Sequence, residues 1–135
     1  MAAERAVLYD LVDVISGEFE GLELTLEAAR ERRRTSSRRT ALVPVRYRRP
    51  RTTLREARTR ARSLLRDRQR DYPGVTFEDV RVHGYHPMVF TFVTLSPEWQ
   101  EEGRVPGGLT CCVDRVDGHV WTAAEQQRYA TTNAG

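Results

Sequence analysis

Arg58, Arg62, Arg66 and Arg70 follow one another at four-residue intervals, a spacing that on an α-helix stacks them in one row. A row of guanidiniums has one chemistry to offer. Each is permanently charged, and its planar fork of N–H donors matches a carboxylate or a phosphate. Like charges at i,i+4 cost about 0.2–0.5 kcal/mol per pair in an isolated helix, so such a row calls for anions. Arg55 falls on the same flank, while Glu56, Asp67 and Asp71 gather with Arg60 on another face. The anions are nucleic-acid phosphates, the carboxylates of a partner protein, or the chain's own Glu18, Glu20, Glu23 and Glu27. Tyr47 is the one aromatic residue in the basic block, whereas single-strand binders interleave stacking rings. No zinc-finger, helix-turn-helix or RNA-recognition signature occurs either. The balance favours an acidic protein partner over nucleic acid.

Other residue types capable of chemistry do not assemble into a constellation. His83 and His86 stand at i and i+3, on opposite faces of a strand, and share a metal only if a turn at Gly84 and Pro87 folds them together. Cys111 or Cys112 would then complete a thiolate–imidazole zinc site. That spacing matches no established motif, and the pair reads as ordinary loop histidines. Cys112 with His119 as base is a formal nucleophile pair. A two-residue Asp117-Gly118 turn, however, pairs Val116 with His119 and leaves Cys112 out of reach. Glu98, Glu101 and Glu102 share a short helix and read as a solvated face. Trp99 among them has the look of an interface anchor, or else of a lid on a sheet edge. No Ser–His–Asp order, Walker loop or dinucleotide fingerprint is present, and Gly107-Gly108 is only a turn. No catalytic residue, metal or cofactor is therefore assigned. The candidate contacts are Arg55, Arg58, Arg62, Arg66, Arg70, Glu98 and Trp99.

The charge pattern sets these residues in context. Seventeen of the 22 basic residues lie between Arg30 and Arg70, and there is no lysine. Residues 1–29 carry −6, residues 30–70 carry +14 and residues 71–135 carry −5, giving a net +3. A GC-rich genome accounts for arginine in place of lysine, but not for its placement. A length of 135 residues, 39% hydrophobic and 30% charged, fits one domain with a modest core. No apolar run approaches the ~20 residues needed to cross a bilayer. Asp10 and Asp13 interrupt the N-terminal apolar run, so it is no secretory signal, and the expected location is cytoplasmic. Two adjacent cysteines cannot form a disulfide framework.

The elements that must position the arginines follow from periodicity. Val7, Leu8, Leu11, Val14 and Ile15 share one helical arc, so the spacing predicts an amphipathic helix over residues 3–16. Leu22, Leu24 and Leu26 alternate as in a strand, in competition with a helix through Ala28 and Ala29. Residues 30–40 contain no large apolar side chain and read as a solvated loop or hinge. Residues 41–47 suit an edge strand, with Pro44 against a central one, and residues 48–51 a linker. Thr53-x-x-Glu56 is a capping box that opens a long helix with Leu54, Ala57, Ala61, Leu64 and Leu65 on one stripe. It ends at Tyr72-Pro73-Gly74. Strands over 76–82, 88–95 and 109–116 follow, with Ser96-Pro97 starting a helical turn between the last two. Thr122-x-x-Glu125 caps a short terminal helix.

That order predicts an α+β fold, one long helix packed on an antiparallel meander of three or four strands. Residues 1–52 are expected to form an N-terminal extension that packs back on the domain or on a partner, residues 53–130 the domain proper, and residues 131–135 a disordered tail. A long helix with Glu56-Ala57-x3-Ala61-x2-Leu64, followed by Val113-Asp114-x3-Gly118-x-Val120, resembles small cystatin-like domains that end in a V-D-x-x-x-G-x-V hairpin. Residues 53–122 are similar to the YrhB-type, immunity-protein-35 family of bacteria and to the peptidase-propeptide (PepSY-like) domains. The resemblance implies a toxin-neutralising or accessory protein that binds a larger partner, and it carries no catalytic residue. Where the immunity family usually has a tryptophan, this strand has Phe90 and Phe92.

Overall fold

The computed structural model describes residues 4–11 and 19–133, with side chains through 129. Its first element, β1 (Arg5–Asp10), is a strand where periodicity calls for a helix. The run Ala6-Val7-Leu8-Tyr9 explains the difference, because all four side chains are buried. A central strand covered on both faces reads as a continuous apolar run, which a helical wheel also accommodates. Val14 and Ile15, which complete the helical arc, lie outside the described residues. β1 pairs antiparallel with β2 (Gly21–Thr25) on one side and β3 (Thr40–Pro44) on the other, so β3 is the edge strand that Pro44 calls for.

Residues 30–40, expected as a solvated loop, are helical through Thr35. Helix α1 (Leu26–Thr35) is capped by Thr25, whose Oγ1 accepts from the Ala28 N–H. Arginine is a good helix former, and Arg32, Arg33 and Arg34 in the last turn complement the helix dipole. Ala29 alone is fully buried, in a cluster with Ala6, Leu8 and Leu42 on one face of the sheet. The other face carries Val7, Tyr9, Ala41 and Val43.

The 3₁₀ turn Val45–Arg48 leads into α2 (Leu54–Gln69), whose Thr53 cap accepts from the Glu56 N–H at 3.1 Å. The second sheet is antiparallel in the order β4 (Arg81–Tyr85), β5 (Val89–Leu95), β6 (Gly108–Asp114). Its first strand starts later than the apolar pattern suggests. Glu78 bonds to Leu95 and Thr94 through its backbone instead of joining a ladder, and the β4–β5 register shifts between Val82 and Gly84. Ala57, Ala61 and Leu65 of α2 are fully buried against Phe90, Phe92, Cys111 and Val113. Small residues let the helix lie close to the sheet. Burying side chains such as Leu65 and Phe92 contributes roughly 1.5–3 kcal/mol each.

Helix α3 (Pro97–Glu101), capped by Ser96, connects β5 to β6. The hairpin after β6 differs from the expected two-residue turn. Val113 bridges Val120 and the Asp114 N–H donates to His119, leaving residues 115–118 as a four-residue loop. The cause is the Asp114 carboxylate, which accepts the N–H groups of Val116 and Asp117 and widens the turn, with Gly118 at φ +77. Thr122 and Glu125 form a full capping box for α4 (Ala123–Asn133), which reaches three residues into the expected tail.

The two sheets meet in one cluster. Val7, Tyr9, Ala41, Val43 and Tyr47 from the first half pack with Met88, Val89 and Trp121 from the second. Among the described residues the fold is α+β, with four helices and two three-stranded antiparallel sheets.

Candidate contact surface

With Ala57, Ala61 and Leu65 turned inward, the arginines of α2 fall into two groups. Arg60 and Arg68 reach down and donate to the carbonyls of Gly118 (2.8 Å) and Thr110 (3.1 Å), tying the helix to β6 and its hairpin. Of the row at i,i+4, Arg62 meets Asp79 through Nε at 3.3 Å, and Arg70 meets Asp67 one turn back at 3.7 Å. Exposed pairs of this kind contribute about 0.2–1 kcal/mol. Among the described residues, Arg55, Arg58 and Arg66 stand in no ion pair. Arg58 is half-buried, and its Nε is covered without a hydrogen-bond partner.

Among the described residues, no ion pair joins the N-terminal acidic segment to the row. Glu23 lies against Arg5 (2.9 Å) and Arg48 (3.6 Å), far along the chain from the helix it was expected to neutralise. Asp10 takes Arg38, and Glu31 takes Arg34 within α1. Glu18 lies outside the described residues. Asp79 and Asp67 do the local neutralising, and they cover only half of the row.

Glu98 and Trp99 are placed differently from the arginines. Trp99 is 5% exposed, its ring edge-on to Tyr72 and Phe77 at 4.9 and 5.3 Å, with the Arg104 guanidinium 3.9 Å above its centroid. The ring is thus packed within the fold against Tyr72, Phe77 and Arg104, and does not stand free as an interface anchor would. Glu98 accepts from the Thr76 N–H at 3.1 Å and from the Ser96 hydroxyl at 3.1 Å. Its own backbone N–H, then Thr76, hold the carboxyl below the usual range.

The groups capable of catalysis are engaged in the fold. His86 is half-buried, accepts the Met88 N–H on Nδ1 and faces the Tyr129 hydroxyl with Nε2. Burial, then the charges of Arg115 and Arg39, push its pKa down to about 4, so the ring is neutral. His119 lies between Asp117 and Glu125. Partial burial pulls its pKa down, but bonds to Glu125 and Asp117 outweigh that and raise it. Burial pushes the Cys111 thiol up to about 11 and raises Cys112 as well, against the weaker effect of Thr91. A thiolate nucleophile needs the reverse. Cys111 faces α2 while Cys112 faces the opposite side of the sheet, so no zinc set forms with His83 and His86. Among the described residues, Asp114, Asp117 and His119 bring one possible ligand atom each within 4.8 Å of one another. Asp114 is already saturated, since it accepts from Tyr47, Trp121, Val116 and Asp117. These donors are the residues that spacing alone missed. The V-D-x-x-x-G signature marks the turn but not the two aromatic groups that close on it.

Among the described residues no helix is long and apolar enough to cross a membrane. No family model, curated protein or solved structure matches this chain.

Proposed function

We propose that the protein is a non-catalytic protein-binding module that engages an acidic surface of a larger partner through α2. One observation carries this reading. The helix is anchored by its apolar stripe and by Arg60 and Arg68, yet Arg55, Arg58 and Arg66 on its outer flank meet no carboxylate among the described residues. Arg58 is already partly desolvated, so a carboxylate arriving there meets a guanidinium that has given up water. The resemblance of residues 53–122 to immunity and propeptide domains supports a role as a bacterial immunity or accessory protein, with a toxin or an enzyme as partner.

A second reading has its own observation. Arg30, Arg32 and Arg34 are exposed on α1, as they would be on an accessory protein using residues 30–70 to bind nucleic acid.

Photo-crosslinkers at positions 66 and 32 separate the two in the native lysate. The protein reading expects one acidic protein captured from position 66 and lost when Arg55→Glu/Arg58→Glu is added, with the folded circular dichroism spectrum retained. Turnover of a substrate, or no protein captured from position 66, would sink it. Retention on DNA or RNA at low salt, falling steeply as salt rises and abolished by changes in α1, would install the second reading.

A further inference from the structure

We propose that the cleft beside the 3₁₀ turn is a separate anion site, one that takes a ligand carrying two adjacent phosphate groups. The cleft, about 630 Å³, is lined by Arg46, Arg48, Arg49 and Arg51, together with Val116 and Glu23. Its position is distinct from the outer flank of α2, and the inference does not depend on the protein-binding reading.

Three features make this a built site and not a stretch of exposed arginines. The turn is pinned at its centre, because Tyr47 is buried and its hydroxyl bonds to Asp114. The exit is pinned too, since the N–H groups of Arg51 and Thr52 both donate to the Arg115 carbonyl at 2.9 and 3.0 Å. Arg46 is held in place by donating to the Tyr47 hydroxyl and lying 4.9 Å from the Tyr47 ring centroid. A ligand would therefore meet a backbone already fixed at the turn and its exit, and one guanidinium, that of Arg46, already held.

Charge decides the ligand class. Four arginines face one carboxylate, a net +3, and Glu23 is shared with Arg5 outside the cleft. Arg49 and Arg51 stand in no ion pair among the described residues. A single carboxylate leaves most of that charge unanswered, whereas a diphosphate brings nearly enough charge and several acceptor oxygens for forked donors. At about 630 Å³ the cleft is large enough for two phosphates.

Calorimetric titration of the whole protein with inorganic pyrophosphate at low ionic strength tests the site. The expected result is saturable one-to-one binding, with orthophosphate weaker by about tenfold. Arg49→Ala/Arg51→Ala should weaken pyrophosphate roughly 10–100-fold, as expected for losing hydrogen bonds to a charged group. Both side chains are exposed, so the melting temperature should not move. Arg66→Ala/Arg70→Ala removes equal charge elsewhere and should change affinity less than about twofold. A nucleoside diphosphate that binds more tightly than pyrophosphate would identify a nucleotide, and equal binding would assign recognition to the phosphates alone. Three results would overturn the proposal: no saturable heat, equal losses in both double variants, or affinity for oligothymidylate that grows with chain length beyond that for pyrophosphate.

Discussion

The hydroxyl of Tyr47 donates to the carboxylate of Asp114, joining two buried residues 67 positions apart in the chain. Tyr47 closes the first sheet and Asp114 ends the last strand of the second. Trp121 donates its Nε1 to the same carboxylate oxygen at 2.9 Å. Burial, then the bond and the charge of Asp114, raise the tyrosine's pKa, so the phenol stays protonated and serves as the donor. The bond thus fixes the turn that carries Arg46 and Arg48 relative to the hairpin that carries Val116.

Removing one partner tests that role. Tyr47→Phe leaves the ring packed but removes a donor from a buried carboxylate, which costs roughly 1–3 kcal/mol. Asp114→Asn keeps the shape but turns N–H groups either toward Trp121 Nε1–H and the Tyr47 hydroxyl or toward the Val116 and Asp117 N–H groups, with a loss of similar size. Tyr9→Phe is the control, since that hydroxyl only donates to the Tyr47 carbonyl at 3.2 Å, and it should cost less. Urea unfolding of the three variants checks the order. If Tyr47→Phe were as stable as the parent, the bond would not hold the halves together.

What sequence could and could not reveal follows the range of each interaction. The capping boxes at Thr53 and Thr122 and the Ser96-Pro97 start are local, and each sits where its pattern places it. The strand at Arg5–Asp10 was hidden because burial on both faces erases the alternation that marks a half-exposed strand. Helix α1 was legible only as a helix through Ala28 and Ala29 competing with a strand, because its inward face is little more than Leu26 and Ala29, and apolar periodicity had almost nothing to register over its arginines. The row on α2 was legible from spacing alone, but its partners were not. Asp79 and the carbonyls of Gly118 and Thr110 are long-range neighbours, and only the packing of α2 on the second sheet brings them within reach.

The cysteines should behave as packing groups. Cys111 is buried under α2 and its thiol is pushed up to about 11, so little thiolate exists near neutrality. Cys112 is partly exposed beside Thr91, and its thiol is raised as well. Alkylation at pH 7 should therefore be slower than for a free thiol, with Cys112 modified first and Cys111 only as the protein unfolds. Mass spectrometry of peptides against time reads this directly. Rapid labelling of Cys112 would revive it as a nucleophile.

Trp99 and Glu98, neighbours on α3, should separate stability from contact. Trp99→Ala removes a buried ring packed against Tyr72, Phe77 and Arg104, at a cost of roughly 3–5 kcal/mol. Glu98→Ala removes only an exposed carboxylate that accepts from Thr76 and Ser96, and should shift the melting temperature far less. If partner capture from position 66 survives Glu98→Ala but fails in Trp99→Ala only above that variant's lowered melting temperature, Trp99 acts through the fold. Loss of capture in a fully folded Trp99→Ala protein would restore it as a direct contact.

His86 should make stability fall as the solution is acidified through the mildly acid range. Its folded pKa of about 4 lies below the ordinary 6.5, through burial first and then Arg115 and Arg39. From pH 6.5 downward the unfolded chain takes up a proton that the folded chain refuses, so stability drops until about pH 4 and then levels. That interval corresponds to at most about 3 kcal/mol. His119 works in the opposite sense. Its pKa is raised, so its contribution is full below 6.5 and fades as pH rises through the folded value, and its exposure keeps the effect small. Asp117 and Glu125, whose carboxyls are depressed chiefly by backbone N–H groups, lose their contribution only in stronger acid. The window between pH 6.5 and 5, where the His119 contribution is already full, therefore isolates His86. His86→Gln keeps an acceptor for the Met88 N–H and removes the titration, so its unfolding free energy should be nearly flat across that window while the parent's declines. Parallel curves for the two proteins would show that His86 is not the group responsible.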